Sequence, residues 1–189
     1  MARGVRAVFG SGIADASQAC SRVLSVRYAE RHLLDQVVAR LEFDCQGYLK
    51  SKRPYLSSED IRRLIALGFS IGAHSIDHPL YAELPLAEQL RQTTDSVRAI
   101  SAAFGLEYGV FAFPHSDANV SRDFFTRLAE TRLVEMSFGT AGLLDDCAPN
   151  HLQRLSLERP CVPAHQIIRY HYARRLARAA TGRACIQRL

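Results

Sequence analysis

An α/β fold built on parallel strands is the expectation for this chain, and three observations carry it. Short apolar runs alternate with longer amphipathic stretches; glycine or proline punctuates their boundaries; and successive runs are far enough apart for the crossover helices that parallel strands need. Residues 1–27, rich in arginine, glycine, serine and alanine, read as a poorly defined leader, and 28–189 as one domain. Tyr28 to Phe43 carries Leu33, Leu34, Val37, Val38 and Leu41 at helical spacing with charges opposite, the pattern of an amphipathic helix. Gln46 to Tyr55, with Gly47 and Pro54, reads as a polar connection. Ser57 or Ser58 then caps a helix whose inner face is Ile61, Leu64 and Ile65, with Asp60 in its first turn and Gly68 at its end.

Phe69 to Ala73 reads as a short buried strand. Pro85 opens a helix that runs to Phe104, with Leu86, Leu90, Val97 and Ile100 as its apolar stripe and Gly105 beyond it. Tyr108 to Phe113 is the next strand, Ser121 to Arg132 a helix capped by Ser121, and Leu133 to Phe138 a further strand. Pro163 to Ala180 closes the chain as a basic amphipathic helix stopped by Gly182, with Ile167, Ile168, Tyr172 and Leu176 inward and Arg169, Arg174, Arg175 and Arg178 outward.

A chain of 189 residues with 48% apolar content has the material for one real core. No apolar run is long enough to span a bilayer, and the arginines near the N-terminus lack the apolar segment of a secretory signal, so a cytoplasmic location is expected. The five cysteines include no C-x-x-C pair, which points to reduced thiols instead of a disulfide framework or zinc knuckle. The net charge of +5 is uneven: after Glu158 there is no acid, while Arg159, Arg169, Arg174, Arg175, Arg178, Arg183 and Arg188 follow. Such a tail is either a solvated helix face or a contact for nucleic acid or anionic lipid; with no finger, RNP-like aromatics or helix-turn-helix, no specific nucleic acid partner is expected.

The most informative stretch runs from Ile71 to Pro79, where His74 and His78 stand four residues apart just after the predicted strand. In a turn, both imidazoles can face one divalent cation, zinc first among them, which requires their ring nitrogens to lie within about 5 Å of each other. Asp77, between them, projects elsewhere and reads as a supporting or surface residue. Some thirty residues later Phe111-Ala112-Phe113-Pro114-His115-Ser116 ends the following strand. Both segments lie where ligands gather in parallel α/β folds, at the C-terminal ends of strands.

In this order the two segments resemble the polysaccharide deacetylase family, the NodB-homology carbohydrate esterases: H-S-I-D-H-P is similar to that family's H-[ST]-x-x-H-P, and F-A-F-P-H-S to its F-x-[FY]-P-[YFH]-[GS]. The resemblance covers about residues 30 to 160. It implies an incomplete distorted (β/α) barrel, hydrolysis of the N-acetyl group of amino-sugar glycans, and a divalent metal on His74 and His78. It also implies a groove formed by Phe113, Pro114 and His115, the His115 N–H facing the oxyanion; Asp117, on the same loop, reads either as a partner for a sugar hydroxyl or as a loop cap. The family's T-F-D-D-G motif, which supplies an aspartate ligand and the catalytic base, has no match: neither Asp15 nor Asp44 ends a strand, and Asp145-Asp146 follows the histidines. The chain therefore reads as N-terminally truncated relative to the family, with its catalytic base absent, its metal weakly held and its activity slow. Ala112 stands where some members carry arginine, and L-x-H has no match, which leaves His151, ahead of His165 and His171, as substitute general acid. A non-catalytic carbohydrate-binding remnant, a truncated gene product, and an arginine-tailed adaptor for anionic polymers remain as alternatives.

Overall fold

Helices form where the composition predicts a leader. The computed structural model describes residues 2–188, and the chain divides into two units, Met1–Ile61 and Arg62–Leu189. In the first, α1 (Ala2–Phe9) and α2 (Ala16–Leu24) bury Val5 and Ala19 with Ile13 and Val37. Asp15 caps α2, its carboxylate accepting from the Gln18 N–H at 2.9 Å. Helices of eight and nine residues are too short for a 3.6-residue period to stand out in sequence. A 3-10 turn at Tyr28–Glu30 leads into α3 (His32–Leu41), within the stretch predicted helical. The expected polar connection is a helix as well, α4 (Cys45–Lys52): Asp44 accepts from the Gly47 N–H at 2.8 Å, and Arg53, at φ 44°, ends it in the left-handed conformation. The helix α5 (Ser58–Ala66) starts on a reciprocal cap, with the Asp60 N–H donating to Ser57 Oγ at 3.1 Å and the Ser57 N–H to Asp60 Oδ2 at 2.9 Å.

In the second unit the predicted strand Phe69–Ala73 shrinks to a single parallel bridge between Ala73 and Phe111. The reason is local: the Ile71 N–H donates to the Tyr108 hydroxyl at 3.0 Å and not to a strand carbonyl, so the ladder starts only at Ala73. Next comes α6 (Leu86–Phe104), bounded by Pro85 and by Gly105 at φ 64° as expected. Its buried face differs from the predicted stripe. Gln89, Gln92, Thr93, Thr94 and Ser96 are buried with Val97, whereas Leu86, Leu90 and Ile100 are half-buried.

The strand β1 (Val110–Ala112), the helix α7 (Arg122–Glu130) and the strand β2 (Met136–Gly139) follow, then β3 (Asp145–Asp146) and β4 (His151–Gln153). The sheet order is β1-β2-β4, every pair parallel, with Ala73 against the outer edge of β1. A small second sheet pairs β3 with β5 (Cys185–Ile186), which lies beyond α8 (Ala164–Ala179). Tyr81, Phe111, Phe113 and Phe124 are fully buried around the sheet, their ring centroids 5.0 to 6.0 Å apart. The architecture is thus α/β with parallel sheets. Among the described residues the cysteines are free, and no helix is long and apolar enough to cross a membrane.

The predicted inner face of α8 is rotated by one residue. Ile167 is buried, but Ile168, Tyr172 and Leu176 are exposed, Leu176 by 70%. The packed face runs through His171 and Arg175, because Gly142, at φ 80°, lets the His171 ring approach its backbone and Arg175 donates to the Leu143 carbonyl at 2.7 Å and to Asp145 at 2.8 Å. Ile167→Ala should therefore cost about 2–4 kcal/mol and Leu176→Ala about 0.5 kcal/mol or less in urea denaturation. Equal losses would mean that the predicted face, and not this one, packs in solution.

Candidate metal centre and cleft

The loop from His74 to Pro79 takes its shape from two left-handed residues, Ser75 at φ 67° and His78 at φ 54°. Non-glycine residues hold such dihedrals only where surrounding bonds over-determine them, and here α6 provides the bonds. Gln92 Oε1 accepts from the N–H groups of Ile76 and Asp77 at 3.0 and 3.1 Å, and its Nε2 donates to Asp77 Oδ2 at 2.7 Å. The His78 N–H donates to Ser75 Oγ at 3.0 Å. Burying a glutamine on a helix is unfavourable unless its amide is satisfied. Gln92 meets that condition by tying the histidine loop to α6, and Asp77 serves as part of the tie.

The outcome is a row of imidazoles. His74 Nδ1 lies 2.7 Å from the Ala112 carbonyl, which can only accept, so the proton sits on Nδ1 and Nε2 keeps its lone pair. His78 Nε2 lies 3.1 Å from that atom, inside the 5 Å expected of ligands to one ion. His78 Nδ1 in turn lies 3.1 Å from His115 Nε2. Burial, followed by the neighbouring His115 and His74 rings, lowers the pKa of His78 below the usual imidazole value, which favours the neutral form that metals bind. His115 itself is left-handed, at φ 53°.

A cleft of about 700 Å³ opens beside these rings, lined by His74, His115, Thr140, Arg154 and the run from Leu155 to Glu158. Each wall begins just past a sheet position: His74 follows Ala73, His115 lies beyond Ala112, Thr140 follows Gly139, and Arg154 follows Gln153. The cleft thus sits at the C-terminal edge of the sheet, the ligand edge of parallel α/β folds. Phe113 and Pro114, expected to line a groove, are fully buried, so they support the cleft floor from within and present no side-chain surface to a sugar. Arg154 was not foreseen. It brings a guanidinium to the cleft from just past β4, donating to the Phe113 carbonyl at 2.5 Å, whereas β1 offers only Ala112 there.

Asp117 and His151 occupy a different place from the one expected. They belong to a buried charge cluster in which Asp117 Oδ2 accepts from Arg188 at 2.5 Å, Gln153 at 2.8 Å and His151 Nε2 at 3.1 Å, while Oδ1 accepts from the Thr140 N–H at 2.8 Å. Asp146 accepts from Arg188 Nε and Nη2 at 2.9 and 2.6 Å, and His151 Nδ1 meets Ser137 Oγ at 2.7 Å. The His151 side chain is 0% exposed and that of Asp117 3%, so neither reaches a glycan in this conformation. Burial pushes both carboxyls up, but hydrogen bonds from His151, Gln153, Thr140 and Arg188 on Asp117, and from Arg188 and Ala148 on Asp146, outweigh it and hold both below the usual carboxylate range. Gly139 is required here, since a Cβ would strike Gln153 and the Asp117 carboxylate.

Among the described residues, Asp117, Asp146 and His151 are the side chains whose donor atoms gather within 4.8 Å in the manner of a three-ligand metal site. The Arg188 guanidinium already sits on both carboxylates and supplies the positive charge. A cation would have to displace it.

A family model described as polysaccharide deacetylase matches residues 27–133, a span that includes His74, His78 and the stretch from Phe111 to Ser116. Neither the curated proteins nor the solved structures contain a match to the chain.

Proposed function

This chain belongs to the polysaccharide deacetylase family, and on that premise we propose that it acts on the N-acetyl groups of amino-sugar glycans by metal-assisted amide hydrolysis, slowly, at the cleft beside His74 and His78. The observation that carries the reading is the 3.1 Å separation of the two Nε2 atoms. Two ligands about 2.0–2.1 Å from one tetrahedral zinc lie roughly 3.3–3.4 Å apart, so the pair fits a single ion with little movement. The parallel sheet, with the site at its C-terminal edge, supports reading the fold as an arc of an incomplete distorted (β/α) barrel.

A zinc ion held there would lower the pKa of a bound water and polarise the acetamide carbonyl. The protein's own part is to keep the two imidazoles aimed: the Ala112 carbonyl holds the His74 proton on Nδ1, and Gln92 and Ser75 hold the loop. Arg154 and Glu158 offer charge in the cleft for the sugar's polar groups, and Leu155 and Leu157 an apolar wall. With two imidazoles and, among the described residues, no carboxylate grouped with them, affinity for the dication should be weak. A missing positioned base forfeits about 10²–10⁴-fold in rate.

The second reading, a carbohydrate-binding remnant, is favoured by one observation: the buried aspartates are committed to Arg188 and unavailable as base or ligand. Zinc content after dialysis, together with acetate release from N-acetylglucosamine oligomers, separates the two. The expected outcome is partial zinc retention and slow release, both abolished by His74→Ala. Oligosaccharide binding with neither zinc nor acetate release would establish the remnant instead.

A further inference from the structure

We infer that His115 is a positioning residue that sets whether the His78 nitrogen facing His74 offers its lone pair to the cation, an inference that rests on the metal reading above. An imidazole nitrogen can serve a cation only through a free lone pair. For His78 Nε2, the atom beside His74, that means its proton must sit on Nδ1. The partner of Nδ1 is His115 Nε2, 3.1 Å away. His115 accepts that proton's hydrogen bond only when its own proton is on Nδ1.

The opposite arrangement also satisfies every atom of the row. His115 Nε2–H then donates to His78 Nδ1, His78 Nε2–H donates to His74 Nε2, and His74 Nδ1–H donates to the Ala112 carbonyl. In that state a proton occupies the space between the two Nε2 atoms, which closes the site. The tautomer of His115 therefore decides whether the pair is open to metal. The histidine is held in place for this role by its left-handed backbone at φ 53° and by an edge-on packing of its ring on His78, with centroids 4.5 Å apart. It is not itself a ligand to the same point, because it meets His78 at the other ring nitrogen. Partners of this kind typically change metal affinity by about 10–100-fold when removed.

The experiment measures zinc affinity of the full chain by competition with a chromophoric chelator, for wild type, His74→Ala, His115→Ala and His115→Gln, with thermal melts to check folding. ¹⁵N imidazole spectra of zinc-loaded wild type report the His78 tautomer independently of any variant. Wild type should bind, His74→Ala should not, and His115→Ala should bind about 10–100-fold more weakly. His115→Gln, whose carboxamide oxygen accepts from Nδ1–H, should recover to within about threefold of wild type. His78 should carry its proton on Nδ1. Wild-type affinity in a folded His115→Ala, a glutamine variant as weak as the alanine one, or a His78 proton on Nε2 in the loaded protein would each overturn the inference and leave the metal reading standing. Absence of zinc binding in wild type would overturn both.

Discussion

Replacing Arg188 with methionine should lower stability by about 3–5 kcal/mol, because it strands Asp117 and Asp146 as buried charges without a counterion. Arg188 is 7% exposed, donates to both carboxylates and to the Asp117 and Val120 carbonyls, and stacks over Phe125 with its guanidinium carbon 4.4 Å from the ring centroid. Methionine keeps much of the volume and loses all the donors, so the loss reports the charge and not a cavity. The same cluster fixes a pH dependence. Both carboxyls are held below their ordinary range in the folded state, so their contribution is complete above the unfolded value near 3.8 and is lost as pH falls from there toward the folded values. Urea denaturation of wild type at pH 6 and pH 3 should show the drop. In Arg188→Met Asp146 loses its strongest partner and Asp117 one of several, so acid should cost the variant less than wild type. A loss below about 1 kcal/mol at neutral pH would mean that solvent reaches the cluster and screens it.

What was legible in sequence is what local physics sets. Ser57, Asp60, Ser121, Pro85 and Gly105 mark helix ends because caps and left-handed stops act over three or four residues, and each is found in its role. His74 and His78 were legible for the same reason, their spacing being a property of one loop. Arg188 was not. It meets Asp117 across 71 positions, and a charge count of the tail reads it as one more solvated arginine. The burial of Gln89, Gln92 and Thr93 on α6 escaped notice because hydropathy places amides and hydroxyls outside, whereas their cost is set by hydrogen bonds that only the tertiary structure supplies. On α8 the packed face was misread by one residue, since Tyr172 and Leu176 look more apolar than His171 and Arg175, yet the latter pair fits the glycine-lined turn and the carbonyl beside it.

The site itself divides along the same line. The histidines proposed as its ligands come from one segment, but the groups that aim them come from others: the Ala112 carbonyl from β1, Gln92 from α6, His115 from the next loop. Those partners lie 15 to 38 positions away in sequence and were reachable only through the fold. The consequence is that a histidine motif alone understates how far the site is specified. Its geometry depends on a polar helix face whose composition would look expendable.

Phe113 gives the second large effect. Read as a groove residue, its truncation would damage substrate binding and spare the fold. The structure predicts the reverse. The ring is 0% exposed and touches Tyr81, Phe111, Phe124, Phe125 and His151, with centroids 5.0 to 5.9 Å away, at the junction between the sheet core and the buried charge cluster. Phe113→Ala should cost about 3–5 kcal/mol, the range for a buried aromatic whose cavity cannot collapse, whereas Phe113→Leu, which keeps most of the apolar contact, should cost less than about 2 kcal/mol. Because the Phe113 carbonyl anchors Arg154 through the backbone, the leucine variant should keep the cleft. The decisive measurements are urea denaturation and oligosaccharide affinity on the same two proteins. A leucine variant with wild-type stability and strongly weakened sugar binding would mean that the ring turns out to face the glycan and does not form the cleft floor.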